Sequence, residues 1–380
     1  MKRRFSFLTV LISCLLCILA TAALFISIFA IKTGGVNRVW DVLKYAQVIG
    51  IIEKNYIGKT DLGIAEEAGY RALISALDDR WSYYMSPEEY KAYKQYSKNT
   101  YTGIGITLQK VEETGELKII SVVADSPADK AGIKADDVLL AIDGISVTGM
   151  TVAEVRGIVQ EQHGRELVLT IRTAEGALQD VSLYSETIFT DPVSYEMLES
   201  GLGYISIKNF EAGCADGVKS AVRKLMNDGA TGLIFDVRNN PGGKVSQLLN
   251  ILDFLLPEGD IFISIDKNGR EKVHTSKADC IELPMAILVN ANSYSAAEFF
   301  AAVLQEYDWA LVVGEQTTGK GRSQITIALP DGSAVHISNN IYLTPNRIDL
   351  SQTGGITPDL VVENEGEGDR QLSTAVSALS

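Results

Sequence analysis

From Gly203 to Glu315 the chain alternates short apolar runs with amphipathic ones, and this limits the fold more than any other feature. "GYISIKNF", "TGLIFDVR", "MAILVN" and "ALVVGE" read as strands. "ADGVKSAVRKLMND", "VSQLLNILDFLL" and "SAAEFFAAVLQEY", lying between them, read as helices. Strands that are almost wholly apolar suit a sheet covered on both faces, so the pattern implies a largely parallel α/β core. Upstream, residues 100–185 are short β-rich segments with glycine turns and one helix, "TVAEVRGIVQEQ". Residues 36–99 carry amphipathic helical patterns, and Ser86-Pro87-Glu88-Glu89 is a helix start with serine as cap and proline at the first position. The polar acidic run "ENEGEGD", Glu363 to Asp369, reads as a loose tail. No internal repeat is evident.

A chain of 380 residues suggests two or three domains. Its net charge of −14 comes from scattered acidic residues, a surface that repels nucleic acid and anionic lipid. Cys14 and Cys17 lie in an apolar leader, which leaves Cys214 and Cys280 far apart, with neither a disulfide framework nor a zinc pattern. Lys2, Arg3 and Arg4 precede an uncharged run of 27 residues, Phe5 to Ile31. That exceeds the roughly 20 residues needed to span a bilayer, and the basic flank favours an N-inside signal anchor. Everything after Lys32 is then extracytoplasmic, on a single-pass protein of the cell membrane. Cleavage after "ATA" (Ala20 to Ala22) is the alternative. "LISC" (Leu11 to Cys14) resembles a lipoprotein signal, but apolar sequence continues past it.

"GEQTTGKG" fits most of a phosphate-binding loop, through Gly314, Gly319 and Lys320. Such a loop needs Ser or Thr after the lysine and a helix beyond it. Here Gly321 follows, and then apolar alternation on both sides of Asp331-Gly332, a hairpin signal that argues against nucleotide binding. Upstream, Ser293 and Ser295 stand between an apolar strand and an apolar helix, where free N–H groups and the helix dipole can stabilise an oxyanion. A serine nucleophile needs a base. His163 and His274 lie in polar stretches and His336 in a hairpin strand, so none is placed by sequence to serve. A lysine kept neutral by burial can serve, at a cost of about 1.36 kcal/mol per pKa unit.

"NANSYSAAEFFAAVLQEYDWALVVGEQTTGKGRSQ" resembles the active-site segment of the carboxy-terminal processing proteases, PDZ-containing endopeptidases with a Ser-Lys dyad. In that family Glu follows the nucleophile by three residues and the lysine by 25, within Gly-Lys-Gly. Ser295, Glu298 and Lys320 fit both spacings and Ser293 does not. The resemblance implies that Ser295 attacks, that Lys320 is the base and that Gln324 orients it. It also implies an oxyanion hole from the N–H groups of Gly243, in "LIFDVRNNPGG", and Ala296. "YLTPN" and "GGITPDLVV" match the family's closing strands. Arg347 stands where the family has Gly, and "ALDDRWSYYMSPEEY" departs from its Leu-Asp-Pro stretch. Glu298, as an ionised neighbour of the lysine, would shift the amine in the wrong direction for a base.

Residues 101–159, with "SPADKAGI" and "DDVLLAIDG", resemble a PDZ domain, with Ala135-Asp136 where Gly-Asp is usual. Gly103, Ile104, Gly105 and Ile106 would form its carboxylate loop, taking a substrate C-terminus by strand addition. The fold implied is a mixed α/β protease core of the ClpP/crotonase-like kind, with an inserted PDZ domain and an N-terminal helical segment after a transmembrane anchor. The expected divisions are a cytoplasmic stub and anchor (1–34), helices (35–97), PDZ (98–186), core (187–362) and acidic tail (363–380). The helices resemble the family's dimerisation arm, which implies a homodimer. No metal or cofactor is implied. The competing reading is a non-catalytic PDZ adaptor on a protease-like scaffold.

Overall fold

The computed structural model describes residues 7–380 apart from Thr60, His163, Glu365 and Glu367. The basic residues Lys2, Arg3 and Arg4, and His163, therefore lie outside the described residues. Two units partition the chain, Met1–Asp78 and Asp79–Ser380. The first holds helices α1 (Phe7–Thr33), α2 (Val36–Asn55) and α3 (Leu62–Ser75). In α1, Phe7–Lys32 has a mean hydropathy of 2.8 and is long and apolar enough to cross a membrane. A signal sequence has the same properties. Helix α3 starts where Asp61 accepts hydrogen bonds from the Gly63 and Ile64 amides.

The second unit opens with β1 (Tyr83–Met85), α4 (Pro87–Tyr96) and β2 (Thr100–Gly103). Helix α4 begins as its sequence implies. Ser86 accepts from the Glu89 amide, Glu89 returns the bond to Ser86 N–H, and Pro87 takes the first position.

Next come β3 (Ile106–Lys110), β4 (Leu117–Val122), α5 (Pro127–Lys130), β5 (Val138–Ile142), β6 (Ile145–Ser146), α6 (Val152–Glu161), β7 (Glu166–Arg172), β8 (Leu178–Tyr184) and β9 (Glu186–Phe189). Strands β3 to β8 form an antiparallel sheet around a separate apolar core that includes Leu117, Ile119, Leu139, Val155, Leu167, Leu169 and Ile171. Buried and half-exposed residues alternate along β7, as a sheet with one covered face requires. Strand β2 pairs with β9, Thr100 opposite Phe189, so the chain enters and leaves this domain side by side. That closeness of the two ends is what lets a domain sit inside another chain.

The remaining elements are β10 (Val193–Met197), β11 (Gly203–Ile207), α7 (Cys214–Asn227), β12 (Leu233–Asp236), α8 (Val245–Leu255), β13 (Gly259–Asp266), β14 (Glu271–Ser276), β15 (Met285–Val289), α9 (Ala296–Glu306), β16 (Leu311–Gly314), β17 (Arg322–Ala328), β18 (Ala334–Leu343), α10 (Leu350–Thr353), β19 (Leu360–Val361) and α11 (Arg370–Leu379). A six-stranded sheet runs β10-β11-β12-β15-β16-β19, parallel except at β10, as the alternation predicts. Every residue of β12 and β15 is buried. So is Ala296–Leu304 of α9, a helix enclosed all round. A second, antiparallel sheet holds β1, β13, β14, β17 and β18, with β17 and β18 forming the expected hairpin about Asp331-Gly332.

The stretch expected as an acidic tail, 363–380, ends in a helix, Arg370–Leu379, that contacts β15 and β16, while Glu365 and Glu367 of the run expected to be loose lie outside the described residues. Ala375 is fully buried, and Leu372, Val376 and Leu379 pack against the apolar cluster on that face of the sheet. The acidic run contributes its cap, Asp369, which accepts from the Leu372 amide and pairs with Arg238. A polar stretch that reads as a tail is the lead-in to a helix with one apolar stripe.

Candidate active site

Ser295 sits between β15 and α9 with φ 60 and ψ −125, a conformation that non-glycine residues avoid. It caps α9, yet its side chain makes no capping hydrogen bond. Glu298, one turn on, lies within hydrogen-bonding range of the Ser295 amide, which leaves the serine hydroxyl uncommitted to capping. Ser293 has the opposite fate. It is fully buried, donates to Val237 O at 2.7 Å and accepts from the Asn290 amide at 3.0 Å, a wholly structural use.

Glu298 does pull the lysine in the direction its spacing implies, but burial of Lys320 outweighs it, and the carboxyl has a structural use. Its carboxylate is fully buried and accepts from the Thr317 hydroxyl, the Gly319 amide at 2.7 Å and the Lys320 amide at 2.9 Å. Burial pushes this carboxyl above the usual carboxylate range, and its oxygens hold the loop backbone, while the Lys320 side chain runs toward Trp81. Both flanking glycines are needed. Gly319 has φ +82, and a Cβ there would come within 2.8 Å of Gly354 and Gly355 backbone. At Gly321 a Cβ would lie 2.1 Å from the Asp349 carboxylate. Gly-Lys-Gly is thus a packing requirement of a buried loop joining β16 to β17, where a phosphate cradle would need a helix.

Lys320 itself is 9% exposed. Burial, aided by Arg80, pulls its amine down to about 8, against the opposing pull of Asp79 and Glu298. Its Nζ lies 4.4 Å from the centroid of the Trp81 ring and 6.0 Å from that of Tyr294. Tyr342, fully enclosed, donates its hydroxyl to Lys320 O and has the Ser295 side chain as a further hydrogen-bonding neighbour.

A third segment completes the site. Gly242 has φ +88, and a Cβ there would stand 2.8 Å from both the Ala296 amide and Ser295 Cβ, so only glycine brings this loop against the serine. Gly243 bridges to Phe210, with Phe210 N–H donating to Gly242 O and Lys244 N–H to Phe210 O. Asn240, fully buried, fixes the turn by accepting from the Gly242 amide at 2.8 Å and donating to Ile207 O at 2.7 Å. Among the described residues the Gly243 amide donates to no protein acceptor, and the Ala296 amide, in the first turn of α9, has no intrahelical partner.

Ser295, Ala296, Gly243, Lys320 and Gln324 all line one cavity of about 750 Å³. Gln324 does not play the part expected of it. Its amide donates to Arg322 O at 3.0 Å and to Ser338 Oγ at 3.1 Å, and no hydrogen bond to Lys320 is formed among the described residues. Spacing puts it on the cavity wall, but the β17–β18 pairing engages its amide first. The cavity also holds residues that the sequence did not point to, namely Arg80, Trp81, Tyr294 and His336. His336 comes from the hairpin strand, bonds Thr326 Oγ1 at 2.8 Å, and meets the Tyr83 ring at a tilt and the Tyr93 ring edge-on. Burial, then the Lys320 charge, pushes its imidazole down to about 4. The aromatic density of "RWSYYMSPEEY" was the one signal for this wall.

A second cavity, of about 570 Å³, lies between β3 and α6 and is lined by Gly103, Ile104, Gly105 and Ile106 with Val152, Val155 and Val159. Gly105 has φ +88, and a Cβ there would overlap Ser126. Ile104 O accepts from Ala128 and Gly105 O from Val123, so the loop's carbonyls are tied down on one side.

A model of peptidase family S41 matches residues 201–362, and a PDZ-domain model matches residues 118–173. The carboxyl-terminal-processing peptidase 1 of Arabidopsis thaliana chloroplasts is 33% identical over 299 residues, 76% of this chain and 60% of that one. The carboxy-terminal processing protease CtpA of Bacillus subtilis is 32% identical over 314 residues, 82% of this chain and 67% of that one. Among solved structures, a photosystem II D1 C-terminal processing protease superposes with a TM-score of 0.50 at 23% identity, over 88% of this chain and 90% of its own. An S41-type protein from Bacteroides fragilis gives 0.56 at 17% identity, over 87% and 96%. At those identities the superpositions speak for the fold. With a third of aligned residues identical to processing peptidases and both family models placed on the observed domains, the chain belongs to peptidase family S41, serine-type peptidases of the carboxyl-terminal-processing group.

Proposed function

We propose that the protein is a Ser-Lys endopeptidase that takes protein C-termini into its PDZ groove and hydrolyses peptide bonds of extracytoplasmic proteins. One observation carries this reading: an uncapped serine at a strained helix start shares a cavity with a buried lysine whose amine is lowered to about 8. At that value about a tenth of the lysine is neutral at pH 7, enough to act as a base. Ser295 Oγ attacks the substrate carbonyl as its proton passes to Lys320 Nζ. The same proton then goes to the leaving amine, and water repeats the sequence on the acyl-enzyme. The Gly243 and Ala296 amides donate to the oxyanion, with the N-terminal dipole of α9 behind the second. Glu298 holds the loop that carries the base.

In the PDZ groove the backbone of residues 103–106 receives the terminal carboxylate, and Val152, Val155 and Val159 favour an apolar last residue. Helix α1 anchors the chain in the cell membrane with the second unit outside. The parallel sheet with its crossover helices suits the ClpP/crotonase-like class of core. Catalysis needs no cofactor in this scheme, and the substrate is an extended chain near a free C-terminus.

Ser295→Ala and Lys320→Ala should each abolish cleavage of an unfolded protein while circular dichroism stays unchanged. His336→Ala should leave substantial activity, because a group lowered to about 4 is a weak base and its ring is held by Thr326. Activity that survives Lys320→Ala removes the dyad. Binding of C-terminal peptides with no cleavage under any condition favours a PDZ adaptor instead.

A further inference from the structure

The segment leading into β1 is built as a rigid clasp. The Trp81 amide donates to Asp79 Oδ1 at 3.0 Å, Ser82 N–H donates to Asp79 O at 3.0 Å, and the Ser82 hydroxyl donates to the same carboxylate. Ser82 Oγ in turn accepts from the Ser338 amide of β18 at 3.0 Å, which ties the turn to the second sheet. Trp81 is thereby presented into the cavity, packed 5.5 Å from Tyr294, the residue before the serine. Its ring receives two cations, the Arg80 guanidinium at 4.3 Å and the Lys320 ammonium at 4.4 Å. Contacts under about 6 Å over a tryptophan ring are attractive, and more so away from water.

We propose that Trp81 is a positioning residue for the reaction: its ring fixes the Lys320 amine beside Ser295 and stabilises the ammonium that forms when the serine gives up its proton. The inference rests on Lys320 being the base. In the acylation transition state the only positive charge that grows is on Lys320 Nζ, so a group that favours that charge accelerates the step. The other charged and titratable groups facing the amine are Asp79 and Arg80 from the same clasp, Tyr294 just before α9, whose phenol pKa is raised by burial, Glu298 from α9 and His336 from β18. Asp79 favours the charged amine and Arg80 opposes it. Glu298 is engaged by the loop backbone, and His336 is neutral above about 4. Among the described residues the Trp81 ring, at 4.4 Å against 6.0 Å for Tyr294, is the nearer aromatic face, and it stabilises the cation without adding a counter-charge that would hold the proton permanently.

The test compares the full chain in detergent with Trp81→Phe and Trp81→Leu, reading kcat and kcat/KM on a peptide substrate from pH 5.5 to 9.5. Leucine keeps apolar cover and removes the π face, so the acid limb should move down by about one pH unit and the plateau kcat fall about tenfold, with KM changed less. Phenylalanine should restore most of both. Isotope-labelled lysine, with the Lys320 signal identified by its loss in Lys320→Arg, gives the same titration by NMR in a Ser295→Ala background, without any need for activity. A Lys320→Ala enzyme that still cleaves defeats the dyad. A Lys320→Ala enzyme that is dead, together with a Trp81→Leu limb and NMR titration at the wild-type pH, defeats the role of Trp81 alone. Equal behaviour of the Phe and Leu variants would reduce Trp81 to packing. If Trp81→Leu does not fold, the Phe variant must still show a smaller downward shift in the NMR titration.

Discussion

Lys320→Met, made in a Ser295→Ala background to suppress self-cleavage, tests whether the buried lysine is a functional burden on the fold. The amine falls from the ordinary lysine value of 10.5 to about 8, with burial as the leading cause. At ~1.36 kcal/mol per pH unit, that fall is a penalty of ~3 kcal/mol for keeping the charged form inside at pH 7. Methionine has similar volume and no charge, but it gives up the contact with Trp81, so a net gain of ~1–3 kcal/mol is expected. The sign follows from proton counting. The folded pKa lies below the unfolded one, so between about pH 8 and 10.5 the unfolded chain binds more protons and wild-type stability rises with pH. Below about pH 8 the penalty is present in full. The methionine variant lacks this proton, and its advantage should shrink by up to ~1.4 kcal/mol per pH unit across the window. Urea unfolding of both proteins in detergent, at pH 7 and at pH 10, measures it. A methionine variant that is less stable than its parent at pH 7, or whose advantage is the same at pH 10, would refute the claim that Lys320 is held under strain.

The other predictions concern the supports of the site. Glu298→Gln keeps the volume but has one acceptor oxygen for the four donors from Ser295, Thr317, Gly319 and Lys320, so it should cost ~1–3 kcal/mol and slow cleavage at least tenfold, seen in urea titration and peptide kinetics. Arg238→Ala takes the cation from the buried Asp236, which keeps only the Tyr204 hydroxyl and a backbone amide, and releases Asp369, so it should cost ~3 kcal/mol and raise hydrogen exchange in α11 before the rest of the core. Gly105→Ala, with φ +88 and Ser126 in the way, should weaken binding of a C-terminal peptide in calorimetry while leaving cleavage of a short peptide lacking that C-terminus near wild type.

Legibility in the sequence followed the range of the interactions involved. Short-range patterns held. The capping box at Ser86, the hairpin at Asp331-Gly332 and the apolar strands β12 and β15 are local choices between periodicities, and each formed where its pattern lay. The helix at Arg370–Leu379 went unread because the acidic run before it masked an amphipathic stripe whose partner, the back of the sheet, lies far away in sequence. Spacing singled out Ser295 and Lys320, but it could not say that Ser293 is consumed by Val237, or that Glu298 turns from the amine to the loop backbone. It also assigned Gln324 to a neighbour that it does not bond.

The sequence by itself therefore determined the α/β alternation, the glycine-flanked lysine and the family to which such a constellation belongs. Those depend on residue type at fixed intervals, and chain geometry converts intervals into structure over one or two turns. Tertiary structure alone decided the chemistry around the amine. Trp81, Arg80 and Asp79 lie more than 200 residues before Lys320, and they reach it only because β1 pairs with β18 across the second sheet. How far burial and a facing ring shift a proton is a property of that three-dimensional enclosure, and no interval along the chain encodes it.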